Sequence, residues 1–109
     1  MPTVGVQDLE DGDFLLDVRE ADEWRAGHAE GALHIPLSEF VARYGELTET
    51  APQDGRVHVI CRSGGRSAQV AMYLVQQGVD AVNVDGGMQV WAASGRPVVT
   101  DEGRPGQVV

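Results

Sequence analysis

Short runs of consecutive apolar residues alternate along this chain with stretches in which apolar positions recur at three- and four-residue spacing, and that alternation predicts a mostly parallel sheet with helices on both faces. Phe14-Leu15-Leu16-Asp17-Val18 reads as a buried strand. A short helix over Glu20 to Ala26, stopped near Gly27, and a brief strand over Ala32 to Ile35, closed by Pro36, follow it. Ser38 is placed to cap a further helix with Phe40 and Val41 turned inward. Beyond a loop over Thr50 to Gly55, the β-branched run Val57-His58-Val59-Ile60 has the length and composition of a buried strand. Ser67 to Gln77 then carries Ala68, Ala71, Met72 and Val75 at helical spacing, widened by Val70 and Leu74, with Gly78 positioned to end the helix. A last strand over Ala81 to Val84 leads through Asp85-Gly86-Gly87 into a short helix bearing Trp91, which ends near Gly95.

A chain of 109 residues, 42% hydrophobic, suits one compact α/β domain. That domain is expected to cover residues 1–100. Residues 101–109 are polar and contain Gly103, Pro105 and Gly106, so a flexible tail is expected there. No apolar stretch approaches the roughly 20 residues that a membrane-spanning helix needs. Met1 to Val6 has neither a basic start nor an apolar signal core, and a single cysteine allows no internal disulfide, so a cytoplasmic location is expected.

Seventeen acidic residues face eight basic ones, all arginine, for a formal charge of −9, which argues against nucleic acid as a partner. The imbalance is uneven. Residues 1–54 hold 13 acids and 3 arginines, whereas residues 55–100 hold 2 acids and 4 arginines.

The less acidic half contains the one cysteine. Cys61 lies between the predicted strand ending at Ile60 and the predicted helix from Ser67, in the segment Cys61-Arg62-Ser63-Gly64-Gly65-Arg66-Ser67. Two glycines let this backbone curl so that successive N–H groups point at one spot beside a helix N-terminus, which suits a thiolate or a bound anion. An unpaired cysteine is more often a small buried hydrophobe. Here two flanking arginines and the absence of any acid within the segment favour a depressed thiol pKa and a nucleophile. In an open α/β sheet ligands collect outside the carboxyl ends of the strands, so Cys61 and Asp85-Gly86-Gly87 are expected to meet there.

Other polar residues carry less. Asp17 and Arg19, with Glu23, are better read as structural charges holding a loop than as catalysts. His28, His34 and His58 lack the spacing of zinc ligands, and neither a metal nor another cofactor is expected. Trp24 and Trp91 are read as core or rim packing.

Several motifs together resemble the single-domain rhodaneses, a sulfurtransferase family. Asp17-Val18-Arg19-Glu20, Glu23-Trp24, Gly27-His28, Gly31-Ala32 and His34-Ile35-Pro36-Leu37 are similar to its amino-terminal signature, the Cys61 segment to its active-site loop, and Gly86-Gly87-Met88, Trp91, Gly95 and Pro97 to its carboxyl-terminal signature. The similarity runs from about Leu9 to Val99, with Ala29 departing from the usual β-branched residue after Gly-His. It implies a rhodanese-like three-layer domain in which a Cys61 thiolate takes the outer sulfur of a donor such as thiosulfate and passes it to a thiol, cyanide or a sulfur-carrier protein. Backbone N–H groups of Arg62, Ser63, Gly64, Gly65, Arg66 and Ser67 would hold the persulfide, with the Arg62 and Arg66 side chains as candidate ligands of the donor's oxygens. A solvated Arg62 is weighed equally. Two rival readings are a cysteine-dependent phosphatase or arsenate reductase, whose loop is one residue longer, and a non-catalytic protein-binding module.

Overall fold

The computed structural model describes residues 2–109. Five strands, β1 (Thr3–Gly5), β2 (Phe14–Asp17), β3 (Leu33–His34), β4 (Val57–Ile60) and β5 (Ala81–Asp85), form one sheet in the order β1-β5-β4-β2-β3. Every pairing is parallel, with Leu16 opposite Val59 and Val59 opposite Asn83. Among the described residues the four α-helices are α1 (Ala21–Ala26), α2 (Tyr44–Thr50), α3 (Gly65–Gln76) and α4 (Gly87–Ala93).

Side chains alternate across a strand, and that parity divides the interior in two. Leu16, Val57, Val59, Cys61 and Ala81 pack with Leu47 of α2 and with Val70, Ala71 and Leu74 of α3. Leu15, Ile60 and Val84 face the other way, against Met88 and Trp91 of α4 and Val6 and Leu9 of the amino-terminal segment. A parallel sheet covered on both faces explains why β4 is an unbroken apolar run apart from His58, whose Nδ1 lies 3.1 Å from the carbonyl oxygen of Phe14.

The inward stripe of α3 is Ser67, Val70, Ala71 and Leu74, while Met72 and Val75, expected inside, are exposed. The helix is therefore rotated by about one residue from its apolar average, because the buried polar Ser67 belongs to the inner face. Gly78 ends α3 as expected, with φ +84°.

Two further expectations are corrected. Residues 37–43 form a 3-10 turn and further turns instead of one helix, so Phe40 is buried while Val41 is 82% exposed. Phe40 packs edge-on against Tyr44 and Tyr73. Ser38 caps nothing; its hydroxyl donates to Glu20 Oε1 at 2.6 Å, tying this turn to the start of α1. Residues 101–109, expected to be a flexible tail, double back over the domain. Gly106 N donates to the Val98 carbonyl at 2.7 Å and Gln107 N to that of Ala26 at 2.9 Å, while Val99 forms isolated antiparallel bridges with Pro105 and with His28.

At the carboxyl end of β2, Asp17 and Arg19 form a buried pair. Arg19 Nη2 donates to Asp17 Oδ2 at 2.7 Å and to the Gly27 carbonyl at 2.8 Å, and Nε to both carboxylate oxygens at 3.1 Å. Both residues are fully buried. The pair fixes the turn from β2 into α1, the structural role expected of it. Glu23 joins through its main-chain oxygen, at 3.4 Å from Arg19 Nη1, leaving its carboxylate for another partner. Replacing Arg19 with Met would strand the Asp17 carboxylate, so we expect urea unfolding to report a loss of about 3–5 kcal/mol. A loss below about 1 kcal/mol would show that the pair does not hold this turn.

Candidate active site

Cys61 follows β4, the central strand, so the chain leaves the sheet at its middle and must turn at once to enter α3. Gly64 makes that turn with φ +118°, a left-handed conformation that a side chain would strain. The loop then wraps its own sulfur. Gly64 N donates to Cys61 Sγ at 3.0 Å, and Ser67 Oγ lies 3.2 Å from the same atom. Cys61 is 1% exposed and Ser67 fully buried, so the sulfur sits on the floor of the loop.

The first turn of α4 holds the loop from behind. Met88 N donates to the Cys61 carbonyl at 2.8 Å and Gln89 N to that of Arg62 at 3.0 Å. Turning these carbonyls toward α4 leaves the N–H groups of the loop to face the sulfur. Gly87 permits the approach, because a Cβ there would collide with the Cys61 carbonyl oxygen. Asp85-Gly86-Gly87 thus meets the cysteine loop at the carboxyl end of the sheet.

Burial by itself pushes the Cys61 thiol up, but the Ser67 hydroxyl and the backbone N–H groups of Ser67, Gly64 and Ser63 outweigh it and hold the pKa below the ordinary thiol value. Hydrogen bonds are the largest lowering causes, and the charge of Arg66 attracts the thiolate beside them. Arg66 is bound bidentately by Glu23 of α1, Nη1 to Oε1 at 2.6 Å and Nη2 to Oε2 at 2.9 Å. The hydrogen bond to Arg66 holds the Glu23 carboxyl below its ordinary value, and the same bond raises that of Arg66. Arg62 is exposed and turned from the sulfur. Its Nε donates to the Val109 carbonyl at 2.9 Å, and Nη1 and Nη2 lie 3.0 and 3.2 Å from the Gln89 side-chain amide, whose oxygen accepts from both once the amide is turned to present it.

Sequence reasoning missed Asn83. Its side chain sits on the α3 face of β5, where Oδ1 accepts from the Ser67 hydroxyl at 2.5 Å. A polar residue inside the apolar run Ala81-Val82-Asn83-Val84 was the signal available. Glu23 was named, but its partner is Arg66. The histidines are accounted for by the fold: His28 and His34 stack on Trp24 with ring centroids 3.6 and 4.5 Å away, and His34 Nε2 donates to the Arg19 carbonyl at 2.7 Å. Trp24 is thereby rim packing, and buried Trp91 donates through Nε1 to the Pro97 carbonyl at 2.8 Å. Among the described residues, no three of His, Cys, Asp and Glu gather as a ligand set, and no helix is long and apolar enough to cross a membrane.

A cysteine sulfur cradled by N–H groups at the end of a central parallel strand is suited to persulfide chemistry, and comparison with known proteins points to a class of domain that fits it. The rhodanese-like domain family matches residues 3–94, and the chain belongs to it. A putative sulfurtransferase of Bacillus subtilis, YtwF, is 40% identical over 84 residues, 77% of this chain and 78% of that protein. A sulfurtransferase of Allochromatium vinosum is 40% identical over 91 residues, 83% of this chain and 81% of its own. Among solved structures, a rhodanese-related protein of Thermoplasma volcanium superposes with a TM-score of 0.83 at 34% identity, over 93% of this chain and all of its own. Fold and homology support sulfurtransferase activity of the rhodanese type, with a single buried cysteine suited to persulfide chemistry.

The lowered pKa carries an expected outcome. Thiolate ultraviolet absorbance, taken as the difference from Cys61→Ser, should titrate with a midpoint below the free-thiol value of about 8.5. A midpoint at or above that value would mean that burial outweighs the loop's donors.

Proposed function

We propose that this protein moves sulfane sulfur from thiosulfate or a related donor to a thiol or cyanide through a persulfide on Cys61. The observation that carries the reading is the loop's convergence of donors on one sulfur, Gly64 N at 3.0 Å and Ser67 Oγ at 3.2 Å. The Cys61 thiolate attacks the outer sulfur of thiosulfate, the new S–S bond forms as the old one breaks, and sulfite leaves with the bonding pair. A second thiolate, or cyanide, then attacks the outer sulfur of the persulfide and returns Cys61 to its thiolate. Each half reaction is a displacement at sulfur, and no oxidant or cofactor is consumed. An S–S bond is about 2.05 Å long, so a persulfide on Cys61 lifts its terminal sulfur from the loop floor into the bowl lined by residues 62–67. There the backbone N–H groups of Arg62 to Ser67 stabilise its charge. The acceptor has only to reach this raised atom, which suits a small thiol or the flexible end of a sulfur-carrier protein.

Phosphoryl transfer fits the loop less well. Cys61 and Arg66 enclose four residues, one fewer than the phosphatase pattern, and position 67 holds Ser67 where that pattern has arginine. A purely binding role leaves the lowered pKa of Cys61 without use. Intact mass after incubation with thiosulfate should rise by one sulfur atom, with no rise for Cys61→Ser, and aryl phosphate should not be hydrolysed. Phosphate release dependent on Cys61, with no sulfur adduct, would overturn the reading.

Donor recognition gives a second test. The Glu23 carboxylate neutralises Arg66 in the resting protein, and a partly exposed pair of this kind is worth about 1 kcal/mol. Glu23→Gln frees Arg66 for the sulfonate oxygens of thiosulfate. The KM for thiosulfate should therefore fall by about fivefold, and Arg66→Ala should raise it. Equal KM values in all three proteins would remove Arg66 from donor binding.

A further inference from the structure

Ser67 has one hydroxyl hydrogen and two neighbours that could take it, Asn83 Oδ1 at 2.5 Å and Cys61 Sγ at 3.2 Å. A separation of 2.5 Å belongs to an O–H···O bond and is too short for an amide N–H donor, so the hydrogen lies on the Asn83 side and Asn83 presents its oxygen. The Ser67–Cys61 contact then has the thiol as donor and the Ser67 oxygen as acceptor. This is the arrangement of the un-ionised cysteine. When the thiol proton departs, lone pairs on sulfur and oxygen face each other unless the Ser67 hydrogen swings to sulfur, and swinging abandons Asn83 Oδ1.

We infer that Asn83 is a positioning residue that holds the Ser67 hydrogen whenever Cys61 Sγ is uncharged and releases it to the thiolate. Three residues on three elements make the relay: Cys61 after β4, Ser67 in the first turn of α3, and Asn83 on β5. All three are buried on the same face of the sheet, where water cannot replace a lost partner cheaply. Sγ is neutral in both the thiol and the persulfide, so both keep the Ser67–Asn83 bond, and only the free thiolate gives it up. Asn83 thus opposes ionisation while the loop N–H groups favour it, and the balance sets how much thiolate is present and how far the persulfide is favoured over it. The charged groups around the sulfur are Arg66, closed by Glu23, and Arg62, turned toward Gln89 and Val109; buried Arg19 is closed by Asp17, and Asp85 at the end of β5 is exposed.

The relay rests on the proposed function only in taking Cys61 as the nucleophile, and because ionisation is read without any sulfur donor the two fail separately. Asn83→Leu, and Asn83→Val as a shorter strand-forming alternative, remove the competing acceptor. Ser67 then has only the sulfur to serve, so the midpoint of thiolate absorbance should fall by about half to one pH unit. Ser67→Ala removes the donor and should raise the midpoint, and in that background Asn83→Leu should have no effect. A packing role for Asn83 would not reproduce this dependence on Ser67. An unchanged or raised midpoint in folded Asn83→Leu or Asn83→Val, a shift that persists without Ser67, or an unchanged midpoint in Ser67→Ala would each overturn the relay.

Discussion

The attachment of the cysteine loop to the first turn of α4 is the constraint from which the site follows. Two backbone N–H groups, of Met88 and Gln89, have no partner within their own helix, as at any helix start, and they take the carbonyls of Cys61 and Arg62 instead. That single choice satisfies both partners and decides which way the loop's peptides face. With the carbonyls of residues 61 and 62 committed outward, the N–H of residue 63 is turned inward, and it joins those of Gly64 and Ser67 in favouring the thiolate. The thiolate is stabilised by backbone whose direction is fixed by another backbone, which no flexible side chain could do as rigidly.

Strand parity supplies the second level of organisation. Val57 and Val59 on β4 and Cys61 just after it face α3, and on the neighbouring β5, Ala81 and Asn83 face the same way. The register places Val59 opposite Asn83, so the asparagine lies one step before the cysteine and beside Ser67 as α3 begins. A slip of one residue in β5 would send Asn83 into the apolar layer under α4 and leave Ser67 without its acceptor, and the same slip in β4 would turn Cys61 away from Ser67. The buried pair of Asp17 and Arg19 does comparable work at the edge of the site, holding the β2–α1 turn from which Glu23 reaches Arg66.

Much of this was legible in the sequence. The four apolar strands, the glycine at the end of α3, the meeting of Cys61 with Asp85-Gly86-Gly87 and the structural use of Asp17 and Arg19 follow from local pattern and topology. What escaped depended on contacts between distant residues. β1 is three residues long and pairs only at the sheet edge, so it leaves no periodic trace. Val41 faces solvent because the segment before α2 breaks into turns, and residues 101–109 are held by main-chain bonds to Ala26 and Val98 that no composition signals. The arginines of the loop look like a cationic trap in sequence, yet in space each finds a partner: Glu23 is 43 residues from Arg66, and Val109 is 47 from Arg62. The lowered thiol pKa therefore owes more to hydrogen bonds than to side-chain charge.

The dependence of the thiolate on the grip of α4 is open to direct measurement at Gly87, where an added Cβ must push the Cys61 carbonyl away. In Gly87→Ala, with cooperative thermal unfolding retained, the midpoint of thiolate absorbance should rise toward the free-thiol value of about 8.5. A folded Gly87→Ala protein whose cysteine titrates as in the parent would contradict the account, because the loop would then orient its donors without α4.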